Sequence, residues 1–481
     1  MDAPETSSSR KWLILLAIGM GVFLATVDGS IVNIGINTLV KDLNQPLAVV
    51  EWVVLAYMLT ISTLMLSIGR LGDMVGKKRL YLAGLVIFTI GSTLCGLSPT
   101  IHWLIASRVF QAIGASMLMA LGSALVTQTF PAQERGKALG IMGTLVSVGI
   151  IAGPTLGGLI LESLTWHWLF FVNIPVGIIG VVMVSHYVPQ DRSRSKQRFD
   201  FPGAGTLLVA LASFLSALSI GQHNGFANPL VLGLFLLAGL MTFAFIRIER
   251  RSTTPMVDLT LFKSKLFSIN LITGFLTFIV NAGTMLILPL FLQNVLQRSP
   301  REAGLMIAVT PVLVAIVSPL SGALSDRIGS RLITSLGLAC LLIGQIAVST
   351  LNAEVSTLGY LLRFIPVGIG IGLFNSPNNS AVMGSVTRQN LGVASGLLNL
   401  TRIVGQTTGI AILGALWESR VKAVNGGLML EDVTRAPIAA QVTGLQQTIS
   451  FAILLMTISL SLSLWALREH IKTKQAKPSP G

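Results

Sequence analysis

Asp28 is the only acidic residue deep within any long apolar run of the sequence, where an ionised carboxylate is costly and usually functional. Arg108 lies within another such run. If both runs are helices that cross a bilayer, a rise of ~1.5 Å per residue places both side chains roughly 8–10 Å below the same boundary. Burial favours the neutral acid, whereas a guanidinium favours the carboxylate, so the two residues are a candidate site for loading and releasing a proton if their helices adjoin. A static ion pair or a polar cap is the alternative.

Arg402 is a second basic residue near the middle of an apolar run, and it needs a partner or a water-filled cavity. Both polar packing between helices and anion binding remain open for it. Glu51 and Glu162 lie close to the ends of their runs, which favours solvated charges at the interface.

Catalytic and metal chemistry find no support in the sequence. The five histidines are scattered, and neither a nucleophile–base pair nor a phosphate-binding loop of the G-x-x-x-x-G-K-[ST] type is present. Cys95 and Cys340 lie far apart within apolar runs, which excludes a disulfide framework and a metal-ligand spacing. We therefore expect neither an enzyme nor a metal site.

The elements that hold these residues are long apolar helices. The chain has 481 residues, of which 52% are hydrophobic and 11% are charged, whereas a soluble domain has about 25% charged residues. Its apolar runs have about 18 to 25 residues, enough to cross a bilayer core of roughly 30 Å. The composition predicts an all-α polytopic membrane protein, with the first run retained as a spanning helix. The predicted spans are 13–34, 48–68, 80–98, 103–125, 138–160, 167–187, 202–220, 230–247, 268–292, 304–324, 332–351, 358–380, 393–416 and 444–467.

The positive charges indicate the orientation of these fourteen spans. The formal net charge is +14, yet the basic residues form no single patch. Of the 33 lysines and arginines, 24 fall in the segments on the side of the N-terminus, six on the other side and three within helices. Basic residues concentrate in cytoplasmic loops, so both termini are predicted to be cytoplasmic. The basic balance therefore indicates topology rather than nucleic-acid binding.

An internal repeat divides the spans into two halves. The segment GRLGDMVGKKR at 69–79 has an echo in GALSDRIGSR at 322–331, which aligns Asp73 with Asp326 and Gly76 with Gly329 at an offset of 253. Two further segments align at offsets of 255 and 256. Two six-helix halves with two inserted helices explain these offsets. The predicted domains are an N-terminal bundle at 1–190, linkers and two inserted helices at 191–265, a C-terminal bundle at 266–470 and a cytoplasmic tail at 471–481.

The segment at 69–79 resembles the signature loop G-x-L-x-D-r-x-G-r-k-r of the major facilitator superfamily, with Met74 in place of an arginine. The resemblance implies that Asp73 forms a latch that holds one access state by its charge at a helix end. A solvated turn that carries cytoplasmic positive charge is the alternative. The candidate gating-loop residues are Gly69, Asp73, Gly76, Lys77, Lys78 and Arg79.

The segment GIIAGPTLGG resembles the antiporter motif G-x-x-x-G-P-x-x-G-G of the superfamily's drug/proton antiporters at every fixed position. Glycines four residues apart share one helix face and permit close helix packing, so their spacing alone favours plain packing. The resemblance to the whole motif implies a hinge or seal between the halves. DGSIVN from Asp28 and WHWLFFVNIPVG from Trp166 resemble signatures of the fourteen-helix branch, with His167 in place of an arginine. The motif residues are Gly149, Gly153, Pro154, Gly157 and Gly158.

The resemblance implies a proton-coupled antiporter that exports small amphipathic drugs or toxic compounds by alternating access. A transporter of a lipid or an endogenous metabolite is the alternative. We expect a monomer in the cell membrane whose partners are a small-molecule substrate, protons and lipid, with the proton gradient as driving force and no cofactor. The candidate cavity residues are adaptable apolar or polar side chains from both halves, namely Asn33, Tyr57, Gln111, Met117, Asn281, Met285, Asn375, Asn379 and Arg402.

Overall fold

The computed structural model describes residues 8–45, 47–50, 52–190, 200–252, 255, 257–424 and 436–475, and the regular elements in these ranges are helices. The linker at 191–198, Glu51 and the last tail residues at 476–481 lie outside the described residues, as do the side chains of Asn33 and Pro154. The α-helices are α1 (Ser8–Asp42), α2 (Leu47–Val50), α3 (Trp52–Val75), α4 (Lys77–Gly96), α5 (Ile101–Thr129), α6 (Arg135–Ser163), α7 (Trp168–Phe171), α8 (Asn173–Tyr187), α9 (Phe201–Asn224), α10 (Pro229–Arg251), α11 (Lys265–Leu290), α12 (Pro300–Ile307), α13 (Val309–Ile328), α14 (Ser330–Val348), α15 (Thr357–Gly384), α16 (Leu391–Val424) and α17 (Ile438–Gln475).

Helices suit this composition because a backbone in hydrocarbon must satisfy its own hydrogen bonds. Twelve spans in the described chain are long and apolar enough to cross a membrane. The helices α6 and α16 have 29 and 34 residues and are not among these twelve. In α16, Asn399, Arg402 and Gln406 interrupt the apolar sequence. The predicted fold class is confirmed, and the count of fourteen spans stays a prediction.

The chain divides into two compact units. The first unit comprises Met1–Phe214, Leu236–Leu259 and Val386–Leu400. Within it, α1 packs against α5, α6 and α8, while α5 packs against α3 and α4. A buried apolar cluster that includes Val27, Val53, Leu104 and Phe170 fills the space between these helices. This packing brings side chains from several helices to the centre of the unit.

The second unit comprises Leu215–Phe235, Thr260–Ser385 and Thr401–Gly481. Here α15 packs against α11, α13 and α14, and α17 packs against α11 and α14. Leu292, Leu338, Phe374, Leu413 and Met456 lie in its buried core. The first residues of α16 fall in unit 1 and the rest in unit 2. The domain boundaries proposed from the repeat stay a prediction.

Two glycines that the repeat aligns share an uncommon backbone conformation. Gly76 joins α3 to α4 with φ 112° and ψ 126°, and Gly329 joins α13 to α14 with φ 95° and ψ 141°. Positive φ is strained for a residue with a Cβ atom, so glycine is required at both turns. The internal similarity of the sequence thus has a counterpart in local geometry.

Candidate functional site

The two residues predicted to form an ion pair are in direct contact at the centre of unit 1. Asp28 is in α1 and Arg108 is in α5, and both side chains are fully buried. Arg108 Nη1 donates a hydrogen bond to Asp28 Oδ2 at 2.5 Å. The equal depth inferred from the helical rise permits this contact, and the structure shows that α1 and α5 adjoin. A charge-assisted bond of this kind is among the stronger polar contacts in proteins.

Two amide side chains complete the polar surroundings of Asp28. Gln111 follows Arg108 by three residues on α5, so both lie on one helix face, and its Nε2 donates to Asp28 Oδ1 at 2.9 Å. Asn173 Nδ2, at the start of α8, donates to the same oxygen at 2.8 Å. Ser92 Oγ accepts from Gln111 Nε2 at 2.7 Å. Each carboxylate oxygen therefore has at least one donor, as a buried anion requires.

Aromatic rings cover Arg108. Its guanidinium carbon lies 3.9 Å from the centre of the Tyr57 ring and 5.7 Å from that of Phe170. Its Nε donates to the carbonyl of Val53 at 3.1 Å, while its Nη2 has no hydrogen-bond partner among the described residues. Tyr57 donates to the carbonyl of Ala25 at 3.2 Å. Ring faces stabilise a desolvated cation, so Arg108 keeps its charge without solvent.

Sequence reasoning assigned Tyr57 and Gln111 to a substrate cavity, and the structure places both in the polar cluster around Asp28, with exposures of 1% and 0%. It gave no role to Ser92 or Asn173. Asn173 stood within the quoted WHWLFFVNIPVG segment, which was the available signal for it. We call Asp28, Ser92, Arg108, Gln111 and Asn173 the Asp28 cluster.

The Asp28 cluster can couple proton binding to its own rearrangement. Protonation of Asp28 would remove the negative charge that compensates Arg108, and would convert one acceptor oxygen into a donor. Because α1, α4, α5 and α8 all contribute side chains, a change in the pair acts on four helices at once. The arrangement is therefore suited to linking a proton to helix packing.

The glycine face of the antiporter motif lies against α1 within unit 1. A methyl group at Gly149 would lie 3.1 Å from Thr26 Cβ, and one at Gly157 would lie 3.0 Å from Ile31 Cγ1. At Gly153 it would overlap Ser30 Oγ, which also contacts the carbonyl of Gly149 at 3.2 Å.

Gly158 differs from the other motif glycines because a methyl group there would have no neighbouring atom of the described residues within 4 Å. The three contacting glycines thus permit close approach of α6 to the helix that carries Asp28. A seal between the halves stays a prediction.

The gating loop places a carboxylate at the amino end of α16. Asp73 accepts hydrogen bonds from the backbone N–H groups of Gly392 at 3.0 Å and Val393 at 3.1 Å, and from Lys77 Nζ at 2.8 Å. Gly69 approaches Gly392 so closely that a Cβ atom on either would overlap the other's carbonyl oxygen. The unsatisfied N–H groups and the dipole at a helix start stabilise an anion. Asp73 is buried, so it is not a freely solvated turn residue.

The other basic residues of the gating loop lie nearer the surface. Lys78 Nζ donates to the carbonyl of Ser185 at 2.8 Å, and the Arg79 side chain is exposed.

We expect Asp73→Asn to slow transport by about three- to tenfold without loss of membrane insertion. The reason is that the asparagine amide lacks the negative charge with which Asp73 binds Lys77 and the helix start. The measurement is the initial rate of dye transport per amount of inserted protein. Asp42→Asn, at an exposed carboxylate at the end of α1, serves as a matched control. A rate for Asp73→Asn equal to that of the control would contradict a role for this contact in transport.

The remaining cavity candidates fall in different surroundings. The Cβ atom of Met117 lies 2.7 Å from the position of a methyl group on Gly84, so its backbone packs against α4. In unit 2, Asn281, Met285, Asn375, Asn379 and Arg402 are all partly buried. Their contact with a substrate stays a prediction.

His167 stacks on Trp166 with ring centres 3.8 Å apart, at the loop before α7. Burial lowers the pKa of His167, although Asp42 acts in the opposite direction. The ring is therefore mainly neutral at pH 7, and it does not supply the fixed charge of the arginine found in the related signature.

Comparisons with known proteins agree with this architecture. A family model described as Major Facilitator Superfamily matches residues 18–410. The riboflavin transporter RibZ of Clostridioides difficile (strain 630) is 36% identical over 409 residues, covering 85% of this chain and 88% of the relative. The multidrug resistance protein Stp of Mycobacterium tuberculosis (strain CDC 1551 / Oshkosh) is 34% identical over 409 residues, covering 84% of this chain and 75% of the relative.

The crystal structure of the human organic anion transporter MFSD10 (TETRAN) matches with a TM-score of 0.66 and 15% identity, covering 96% of this chain and 100% of that one. At this identity the match shows the fold alone. The family match over most of the sequence and the transporter relatives make the protein a multi-pass membrane transporter rather than an enzyme. The chain belongs to the Major Facilitator Superfamily.

Proposed function

We propose that this protein is a proton-coupled antiporter that exports small amphipathic compounds by alternating access, with fourteen spanning helices and both termini in the cytoplasm. The observation that carries the proposal is the fully buried Asp28–Arg108 pair in the membrane-embedded part of unit 1. Ionisable residues at such depth are expensive, and proton pathways are among their main uses. The protein acts as a monomer in the cell membrane, and the proton gradient replaces a cofactor.

Proton binding at Asp28 drives the cycle in this account. The deprotonated carboxylate accepts a hydrogen bond from Arg108 at 2.5 Å and so links α1 to α5. Protonation weakens this pair and leaves Arg108 with hydrogen bonds to neutral groups alone. The change in free energy favours another arrangement of the helices, from which the proton leaves on the opposite side of the membrane.

The gating loop supplies a second element of the switch. Asp73 binds the amino end of α16, and Gly69 and Gly392 permit the approach. A carboxylate at a helix start is worth about 0.3–1 kcal/mol at an exposed site and up to about 2 kcal/mol when partly buried. This stabilisation is small enough for the contact to break in each transport cycle. We infer that the contact is made in one access state and absent in the other.

The relatives support drug export as the first candidate and metabolite transport as the second. The relative that is 34% identical is a multidrug resistance protein, whereas the one that is 36% identical is a riboflavin transporter. The two relatives have similar sequence identity to this chain, so a flavin or another endogenous metabolite is a specific alternative substrate. The proposed mechanism at Asp28 serves either cargo.

The proposal is tested with the purified full-length chain in proteoliposomes. Ethidium is the probe because its charge is permanent, so a pH gradient does not concentrate it in the vesicles without the transporter. We expect ethidium to accumulate in vesicles with an acidic lumen and to leave when nigericin collapses the pH gradient. Riboflavin is measured in parallel to test the second candidate. Accumulation equal to that in protein-free vesicles for both compounds would contradict the proposal.

A further inference from the structure

Arg402 is a charged side chain without a counter-ion in the part of the chain that the structure describes. It lies within α16, eleven residues after Leu391 and far from either end of the helix. The side chain is partly buried, and it makes no hydrogen bond, ion pair or ring contact there. Sequence reasoning left packing between helices and anion binding open for Arg402. A role in packing between helices would require partners that are not observed.

Two other arginines within helices show how this protein otherwise compensates the charge. Arg108 pairs with Asp28 at 2.5 Å. Arg363 donates to Thr350 Oγ1 at 2.9 Å and to the carbonyl of Gly359 at 2.8 Å. A guanidinium has five N–H donors, and leaving them unsatisfied away from bulk water costs free energy. Arg402 therefore differs from Arg108 and Arg363, and a bound ligand would supply the acceptors that its side chain lacks.

Neutral polar groups without partners accompany Arg402 in unit 2. Gln406 follows Arg402 by one turn on the same face of α16, and its partly buried amide has no partner among the described residues. Asn378 Oδ1 on α15 and Asn270 Nδ2 on α11 are buried, and neither atom has a hydrogen-bond partner in the described ranges of the chain. Unsatisfied buried polar atoms are uncommon in proteins, and each calls for a reason.

These groups lie near a contact between three helices of unit 2. A methyl group on Gly274 of α11 would lie 3.5 Å from Asn378 Nδ2 and 4.0 Å from Cγ2 of Thr401, the residue before Arg402. The helices α11, α15 and α16 therefore approach one another at Gly274, Asn378 and Thr401. Arg402 follows Thr401 directly, Gln406 follows Arg402 by one helical turn, and Asn270 is one turn from Gly274.

We propose that Arg402 binds an anionic group of the transported substrate, a carboxylate, sulfonate or phosphate, while Gln406 and the two asparagine amides bind its uncharged polar atoms. A planar guanidinium matches two oxygens of such an anion with parallel hydrogen bonds. This inference rests on the proposed function and adds amphipathic organic anions and zwitterions to the compounds that the protein exports. The phosphate of an anionic lipid presents the same chemistry, so the test separates the two sources.

The experiment compares two dyes of opposite charge in proteoliposomes made from the full-length protein. Carboxyfluorescein is the anionic probe and ethidium the cationic one, each driven by a pH gradient in vesicles with and without phosphatidylglycerol. The variants are Arg402→Gln, Arg402→Lys and, as a matched control, Arg363→Gln. The thermal unfolding midpoint of each solubilised variant is measured alongside.

We expect Arg402→Gln to reduce carboxyfluorescein transport by about tenfold or more, which corresponds to at least about 1.4 kcal/mol, while ethidium transport changes less than about twofold. Arg402→Lys should recover part of the loss because it keeps the charge, and Arg363→Gln should resemble the wild type. Both lipid compositions should give the same result.

Three results would overturn the inference alone: wild-type transport of ethidium without carboxyfluorescein, equal loss of both dyes in Arg402→Gln, or a variant effect confined to vesicles with phosphatidylglycerol. Equal loss together with a lowered unfolding midpoint would assign Arg402 to helix packing. If the wild type moves neither dye, the inference fails, and the proposed function fails with it when riboflavin accumulation also equals that in protein-free vesicles.

Discussion

Asp28→Asn is expected to reduce pH-driven ethidium transport by about tenfold or more while leaving ethidium binding unchanged. Asparagine has nearly the shape of aspartate and keeps an oxygen that accepts from Gln111 and Asn173, which both contact Oδ1 in the wild type. It cannot bind or release a proton. Transport driven by a dye gradient alone should persist, so the comparison of driven and downhill flux isolates the coupling.

The control for this variant addresses the charge left on Arg108. Removing one partner of a buried pair costs about 3–5 kcal/mol because the remaining charge is uncompensated. The double variant Asp28→Asn/Arg108→Gln removes both charges, so it should recover thermal stability without recovering coupling. Proton-driven accumulation at the wild-type rate in Asp28→Asn would show that another group carries the proton.

The second large effect is expected at Gly153. A leucine there has no room because even a methyl group would overlap Ser30 Oγ and lie 3.0 Å from the backbone nitrogen of Ile31. Relief of that overlap requires α6 to move away from α1, and overpacking of this kind costs about 1–3 kcal/mol or more. We expect Gly153→Leu to lower transport by about tenfold, with a smaller loss of inserted protein.

Gly158→Leu is the matched control because Gly158 lies on the same helix, and no atom in the described part of the chain lies within 4 Å of a methyl group there. It should insert and transport as the wild type does. Quantitative fluorescence of a C-terminal fusion gives the amount of inserted protein for both variants. Normal transport by Gly153→Leu, or equal impairment of the two variants, would contradict a role for close contact between α1 and α6.

The helices themselves were predictable because length and apolarity are local properties. The run predicted at 138–160 lies within α6, and the run at 393–416 lies within α16. The run predicted at 304–324 lies within one candidate span, Glu302–Ile328, although the helix is interrupted at Ala308 between α12 and α13. Boundaries depend on caps such as Ser299, which forms a capping box with Glu302 at the start of α12.

The equal depth of Asp28 and Arg108 was predictable from the sequence, because charge in an apolar run is rare and both positions could be measured from a membrane boundary. That their helices adjoin was implied by the family resemblance and not by depth. The remaining members of the cluster were not predictable. Asn173 is 145 residues from Asp28, and neutral amides are not conspicuous in membrane helices. Likewise, Asp73 bonds to a backbone 319 residues away, which helix packing decides and local pattern does not.

In the proposed mechanism, protons and substrate cross the membrane in opposite directions. Because the two movements are coupled, a gradient of substrate alone must drive protons the other way. Proteoliposomes that hold the wild-type chain and trapped pyranine, without any initial pH gradient, receive an outward gradient of ethidium. We predict that the lumen becomes acidic as ethidium leaves, and that Asp28→Asn vesicles release ethidium without this change. Ethidium release by the wild type without acidification of the lumen would contradict the account.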